Sequence, residues 1–168
     1  MTPEVYWVRD IEPLRLAIMP RPRGGDWLAD EITGWRRLDI SIVVSLLTAE
    51  EMDELSITEE PNLCRANQID YRSFPVQDRG VPTDASTYLA MVDDLVKLAR
   101  EGRTVAVHCR AGIGRSGLTA ACILFRLGIP AADIFPMLSR ARGLVVPDTT
   151  SQIDWFRSFE HVHVPLSY

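Results

Sequence analysis

Thr104-Val105-Ala106-Val107-His108-Cys109-Arg110-Ala111-Gly112-Ile113-Gly114-Arg115-Ser116-Gly117 decides the fold of this chain. The apolar run 104–107 has the composition of a strand, and Leu118-Thr119-Ala120-Ala121-Cys122-Ile123-Leu124-Phe125 that of a buried helix. The order is therefore strand, tight loop, helix. Backbone N–H groups in such a loop curl around one anion at a helix N-terminus. Gly112 and Gly114 are expected at positive φ, where they keep side chains out of the cradle. Arg115 supplies a planar fork for two anion oxygens. Cys109 lies beneath the anion, where the same positive field favours a thiolate.

Outward from this loop, Leu14–Met19 reads as a first strand, and Pro20–Asp26 as a loop. Trp27–Leu38 has one apolar face at helical spacing, and Ser41–Leu47 is a buried strand. Thr48 and Glu51 have capping-box spacing for an acidic helix through Leu55. Glu59-Glu60-Pro61-Asn62 breaks structure, Leu63–Asn67 reads as a short helix, and Ile69–Phe74 as a strand. Pro75–Pro82 is a loop, after which Thr83 or Asp84 caps a helix to Arg100 that Gly102 ends. Gly128-Ile129-Pro130 is a break, Ala131–Arg142 a helix kinked at Pro136, and Asp148–Val162 the last helix. Strands separated by helices imply an α/β fold: a single compact domain with a mostly parallel central sheet flanked by helices.

The string 108–117 resembles the Cys-x5-Arg-Ser/Thr loop of the cysteine-dependent protein tyrosine phosphatases. The order of elements is similar to the dual-specificity phosphatase branch over about residues 12–160 of a single domain spanning 1–168. Ile42–Leu47 and Phe74-Pro75-Val76-Gln77-Asp78-Arg79-Gly80-Val81-Pro82 resemble the kinase-associated phosphatases, the group of cyclin-dependent kinase inhibitor 3. The resemblance implies hydrolysis of phosphomonoesters through a phosphocysteine, with Cys109 as nucleophile. Arg115 and the loop N–H groups, carried by Arg110, Ala111, Gly112, Ile113, Gly114 and Arg115, would hold the phosphate. His108 would orient the cysteine by hydrogen bonding, and Ser116 would donate to the thiolate or cap the helix. Asp78 is the candidate general acid, with Asp84 as its substitute. Gln77 in place of the Trp-Pro pair of receptor-type enzymes points to the dual-specificity branch. Thr149-Thr150-Ser151-Gln152 is similar to the segment that positions the hydrolytic water, and equally to a polar first helical turn. Arg140 and Arg142 are expected on the surface, with bracing of the loop as the alternative, and Arg21 and Arg23 as solvated charges. Cys122 is expected in the core, and Cys64 there or as a resolving thiol.

The 168 residues are 46% apolar, which suits one globular domain. A net charge of −5 argues against broad nucleic-acid binding, so attraction for phosphate must be local. No apolar run is long enough to cross a membrane, and residues 1–7 lack the pattern of a signal peptide. Three cysteines make no disulfide framework, and a thiolate enzyme needs a reducing compartment, so the cytoplasm is expected. No metal or cofactor is expected. The substrate expected is a phosphorylated protein: phosphotyrosine, with phosphoserine or phosphothreonine in addition. The alternatives are a phosphoinositide or inositol phosphate phosphatase and a non-catalytic phosphoprotein-binding module. Intact Cys109, Arg115 and Asp78 count against the module, and Ile113, where lipid-directed loops carry lysine, counts against the lipid enzyme.

Overall fold

The computed structural model describes residues 2–11 and 13–167. Strand β5 (Thr104–His108) is the middle of a five-stranded sheet. It runs parallel to β2 (Leu14–Met19) on one side and to β3 (Ile42–Ser45) on the other. β4 (Asp70–Ser73) extends the sheet parallel to β3. β1 (Tyr6–Ile11) pairs antiparallel with β2 and forms the opposite edge. The sheet is therefore mostly parallel, as expected, with one strand more than the sequence suggested. Tyr6–Ile11 escapes notice because its alternation is interrupted by Arg9-Asp10. As an edge strand it is fixed by pairing with β2 and not by its own pattern.

Alternate side chains of each central strand enter different cores. Leu16, Ile18, Ile42, Val44, Val105 and Val107 join one apolar cluster. It is completed by α4 (Ala85–Arg100), α5 (Arg115–Arg126), α6 (Ala131–Arg142) and α7 (Thr150–Val162). Ala17, Met19, Val43 and Ala106 point the other way, toward α1 (Leu28–Arg37) and α3 (Glu60–Ala66). The same period places His108, two residues after Ala106, on the α1/α3 side.

The helix ends follow local chemistry. Thr48 caps the short α2 (Ala49–Glu54) in the capping box that the sequence suggested. Asp84 accepts hydrogen bonds from the Ser86 and Thr87 amides and caps α4. α3 begins at Glu60, ahead of the expected Leu63, because Pro61 fits a first helical turn, where its missing N–H is not needed. That earlier start carries Glu60 into the interior, where it is 0% exposed. Among the described residues, no helix is long and apolar enough to cross a membrane.

Candidate active site

β5 ends at His108 and α5 begins at Arg115, so residues 109–114 form the loop at the C-terminal edge of the sheet. Gly112 is at φ +71, and a Cβ there would lie 2.5 Å from the Met19 carbonyl carbon. The loop therefore packs directly on the end of β2, and the Arg21 amide donates to the Arg110 carbonyl at 3.1 Å. Gly114 departs from expectation, with φ −79. It needs no left-handed backbone; a Cβ there would meet the Gln152 amide at 2.9 Å. Its small size is what lets α7 approach the loop.

Cys109 is buried at 3% exposure, with Sγ 3.3 Å from the Ser116 Oγ. Gly114 occupies the cap position of α5, so Ser116 lies inside the first turn and faces the sulfur. That geometry fits a donor to a thiolate and not a cap.

Arg115 is equally buried and held by a bidentate ion pair with Glu51. Nη1 donates to Oε2 at 2.7 Å and Nη2 to Oε1 at 2.9 Å. Nη1 also donates to the Val76 carbonyl at 2.9 Å, and Nη2 to Oδ1 of Asp78 at 3.0 Å. Burial opposes the charge of Arg115, but Glu51, the Cys109 sulfur and Asp78 together raise its pKa. Burial likewise opposes ionisation of Glu51. Hydrogen bonds from Arg115 and the Thr48 amide, with the nearby arginine charges, outweigh it and bring the carboxyl down to about 2. Glu51 thus has two roles, capping α2 and fixing Arg115. Sequence spacing exposes only the first.

Asp78 sits on a tight turn closed by the Gly80 amide donating to the Gln77 carbonyl at 2.8 Å. Arg79 within it is at φ +58, a region that a side-chain-bearing residue adopts only when held. Its guanidinium donates to Asp148 at 2.8 Å, just before α7. Gln152 fastens the same two segments. It is fully buried, donates from Nε2 to the Gly80 carbonyl at 3.1 Å, and accepts the Asp148 and Thr149 amides on Oε1. It therefore latches the Asp78 loop to α7 while lining the cleft.

Asp78, Cys109, Arg110, Ala111, Gly114, Arg115 and Gln152, all singled out by sequence, share a cleft of about 190 Å³ with Arg79 and Asp148. Gly112 and Ile113 do not line it, and Ile113 packs against the larger core. The Arg110 side chain is directed at Glu51 and Glu54, at 3.4 and 3.1 Å, so only its backbone serves the cradle. Asp84 is a helix cap and not a cleft residue. Of the two places the sequence leaves open for Arg142, the structure shows the loop brace rather than the surface. Arg142 donates to the Ala111 and Gly112 carbonyls at 3.1 and 3.2 Å and lies over the Tyr6 ring at 4.1 Å, bracing the loop from behind. Cys64 and Cys122 are buried in the two cores. His108 is fully buried beneath the loop, bonded to Glu60.

An anion cradle with a thiol beneath it, a buried arginine beside it and a carboxylate across the cleft defines the cysteine-dependent phosphatase class. The comparisons place the chain within it. A family model described as Swiss Army Knife protein, DSP-PTPase phosphatase domain (PTP-SAK), matches residues 6–160. The chain belongs to this DSP-PTPase domain family. It is 31% identical over 111 residues to cyclin-dependent kinase inhibitor 3 of Rattus norvegicus, covering 63% of this chain and 52% of that protein. It is 34% identical over 113 residues to protein tyrosine phosphatase domain-containing protein 1 of Danio rerio, covering 67% of this chain and 16% of that one. The chain thus spans about half, or far less, of these relatives. Its fold matches a solved structure of kinase associated phosphatase bearing serine in place of its catalytic-site cysteine. The TM-score is 0.86 with 20% identity, covering 96% of each chain.

Proposed function

We propose that this chain hydrolyses phosphomonoesters on proteins, phosphotyrosine first and phosphoserine or phosphothreonine in addition, in a reducing compartment such as the cytoplasm. The observation that carries this reading is the meeting of Cys109, Arg115 and Asp78 at one cleft, with the Ser116 hydroxyl buried against the Cys109 sulfur. The names of its relatives support a phosphoprotein substrate.

The Cys109 thiolate attacks phosphorus, forming an S–P bond as the P–O bond to the leaving group breaks. Arg115 and the loop amides hold the three remaining oxygens, whose charge otherwise repels the nucleophile. The protonated Asp78 carboxyl gives its proton to the departing oxygen. Water then attacks the phosphocysteine and Asp78 takes its proton. The S–P bond breaks, and the Ser116 hydroxyl donates to the thiolate as it leaves. A small aryl phosphate, a phosphopeptide panel and an inositol phosphate panel, all assayed in EDTA, test the reading. Turnover abolished by Cys109→Ser, with phosphate-ligand binding retained, is expected. Unchanged turnover in that variant would refute the covalent route, and preference for inositol phosphates would reassign the substrate.

A further inference from the structure

Glu60 is a fully buried acid that the reaction just described does not use. It opens α3, and its Oε1 lies 2.6 Å from Nε2 of His108, itself fully buried. Its Oε2 has no hydrogen-bond partner among the described residues. The nearby Cys64 thiol and Tyr71 phenol are pushed up by burial and further by the negative charge of Glu60. An acid held here opposes the apolar packing around it, and the pattern of α3 does not require one.

His108 supplies the reason. It stands at the end of β5 on the α1/α3 side, with the Trp35 ring 6.0 Å away. Its Nδ1 is 3.3 Å from the carbonyl oxygen of Cys109. Both ring nitrogens therefore face oxygens, and a carbonyl only accepts. A neutral imidazole has a single N–H. When the pair shares one proton beyond that of the neutral ring, Nδ1 keeps its own whichever partner holds the extra one. As a carboxylate Glu60 accepts from an imidazolium; as an acid it donates to Nε2 of the neutral ring. Without it the ring is free to carry its only proton on Nε2, setting a lone pair against the Cys109 carbonyl. That carbonyl shares one rigid plane with the amide of Arg110, the first N–H of the cradle, and is bonded to the Cα that carries the nucleophile.

We propose that Glu60 is a positioning residue: through His108 it fixes the Cys109–Arg110 peptide, and with it the aim of the nucleophile and of the first cradle N–H. The role rests on the phosphatase reading for its catalytic meaning, but the effect on Cys109 is measurable without turnover.

The experiment compares Glu60→Leu, Glu60→Gln, His108→Phe and the Glu60→Leu/His108→Phe double variant. Three quantities are read: single-turnover phosphorylation of Cys109, iodoacetate alkylation of Cys109, and the thermal midpoint. Glu60→Leu is expected to slow phosphorylation and alkylation roughly 10- to 100-fold, the scale of a nucleophile misplaced from a distance, while KM stays near wild type. Glu60→Gln is expected to recover most of the rate, since its amide donates to Nε2 and leaves the proton on Nδ1. The double variant is expected to be no slower than the slower single variant, because both act through one path. Wild-type Cys109 reactivity in Glu60→Leu, or losses that multiply in the double variant, would overturn the proposal. Should Glu60→Leu not fold, the double variant decides, since replacing both members of the pair leaves neither side chain facing a lost partner. Depressed Cys109 reactivity in it supports the proposal; wild-type reactivity, or failure to fold, assigns the pair to stability alone and overturns it. A wild-type protein that alkylates at Cys109 but turns over no phosphomonoester would defeat the phosphatase reading and leave the Glu60 effect still readable.

Discussion

Asp78 and the substrate compete for the same guanidinium. In the free protein Nη2 of Arg115 holds both Glu51 and Asp78, so one arm of the fork that phosphate would use is already engaged. A phosphate dianion brings more charge than one carboxylate and offers two oxygens to a planar fork. In the proposed reaction its arrival would displace Asp78 toward the leaving oxygen, where a proton is needed. Asp78→Asn should therefore slow Cys109 phosphorylation by roughly 10²–10⁴-fold with phosphotyrosine peptides, and far less with strongly acidic phenols that depart unaided. Single-turnover rates across aryl phosphates of graded leaving-group pKa test this, and equal losses along the series would make Asp78 structural. Arg115→Lys should cost nearly as much as losing the nucleophile, since a point charge cannot hold Glu51 and phosphate bidentately together. Near-normal kinetics in that variant would remove Arg115 from its assigned role.

Gln152 shows how far a local pattern reaches at the level of elements. The Thr149–Gln152 capping box starts α7, as the sequence allowed. The same amide reaches across to the Gly80 carbonyl, a contact that no spacing near residue 152 announces. Legibility follows that division throughout. The phosphate loop, its flanking strand and helix, and the Asp78 loop are coded in contiguous residues and were readable. Glu51 on Arg115, Glu60 on His108 and the edge strand β1 depend on partners distant in the chain, and were not. Gln152→Ala separates the two roles of this side chain. It leaves the Gly80 carbonyl and the Asp148 and Thr149 amides without their partner, so a loss of about 1–3 kcal/mol is expected in urea unfolding. A residue that only positions water would slow hydrolysis of the phosphocysteine alone. A latch on the Asp78 loop slows its formation as well. Burst kinetics distinguish the two, and an unchanged burst rate in Gln152→Ala would rule out the latch.

At the level of the whole molecule, the Glu51–Arg115 pair joins the end of β3, through α2, to the start of α5, and so ties the site to global stability. The carboxyl of Glu51 is brought from 4.5 to about 2 in the folded protein, against the opposing effect of burial. A carboxyl whose folded pKa lies below its unfolded value stabilises the fold above the unfolded value. That contribution is lost as pH falls toward the folded one. The window here runs from about pH 4.5 down to about 2, and the contribution at neutral pH is about 3 kcal/mol on the scale of 1.36 kcal/mol per unit. Removing one partner of a buried ion pair costs a similar amount, about 3–5 kcal/mol. Glu51→Gln should therefore destabilise the protein by about 3 kcal/mol at pH 7. The gap from wild type should stay level down to about pH 5 and then close as the wild-type carboxyl protonates, since both proteins then carry a neutral side chain opposite Arg115. Urea midpoints of the two proteins between pH 7 and pH 2 measure this gap. A gap that does not narrow with acid would mean that Glu51 holds Arg115 by shape and hydrogen bonding alone, without its charge.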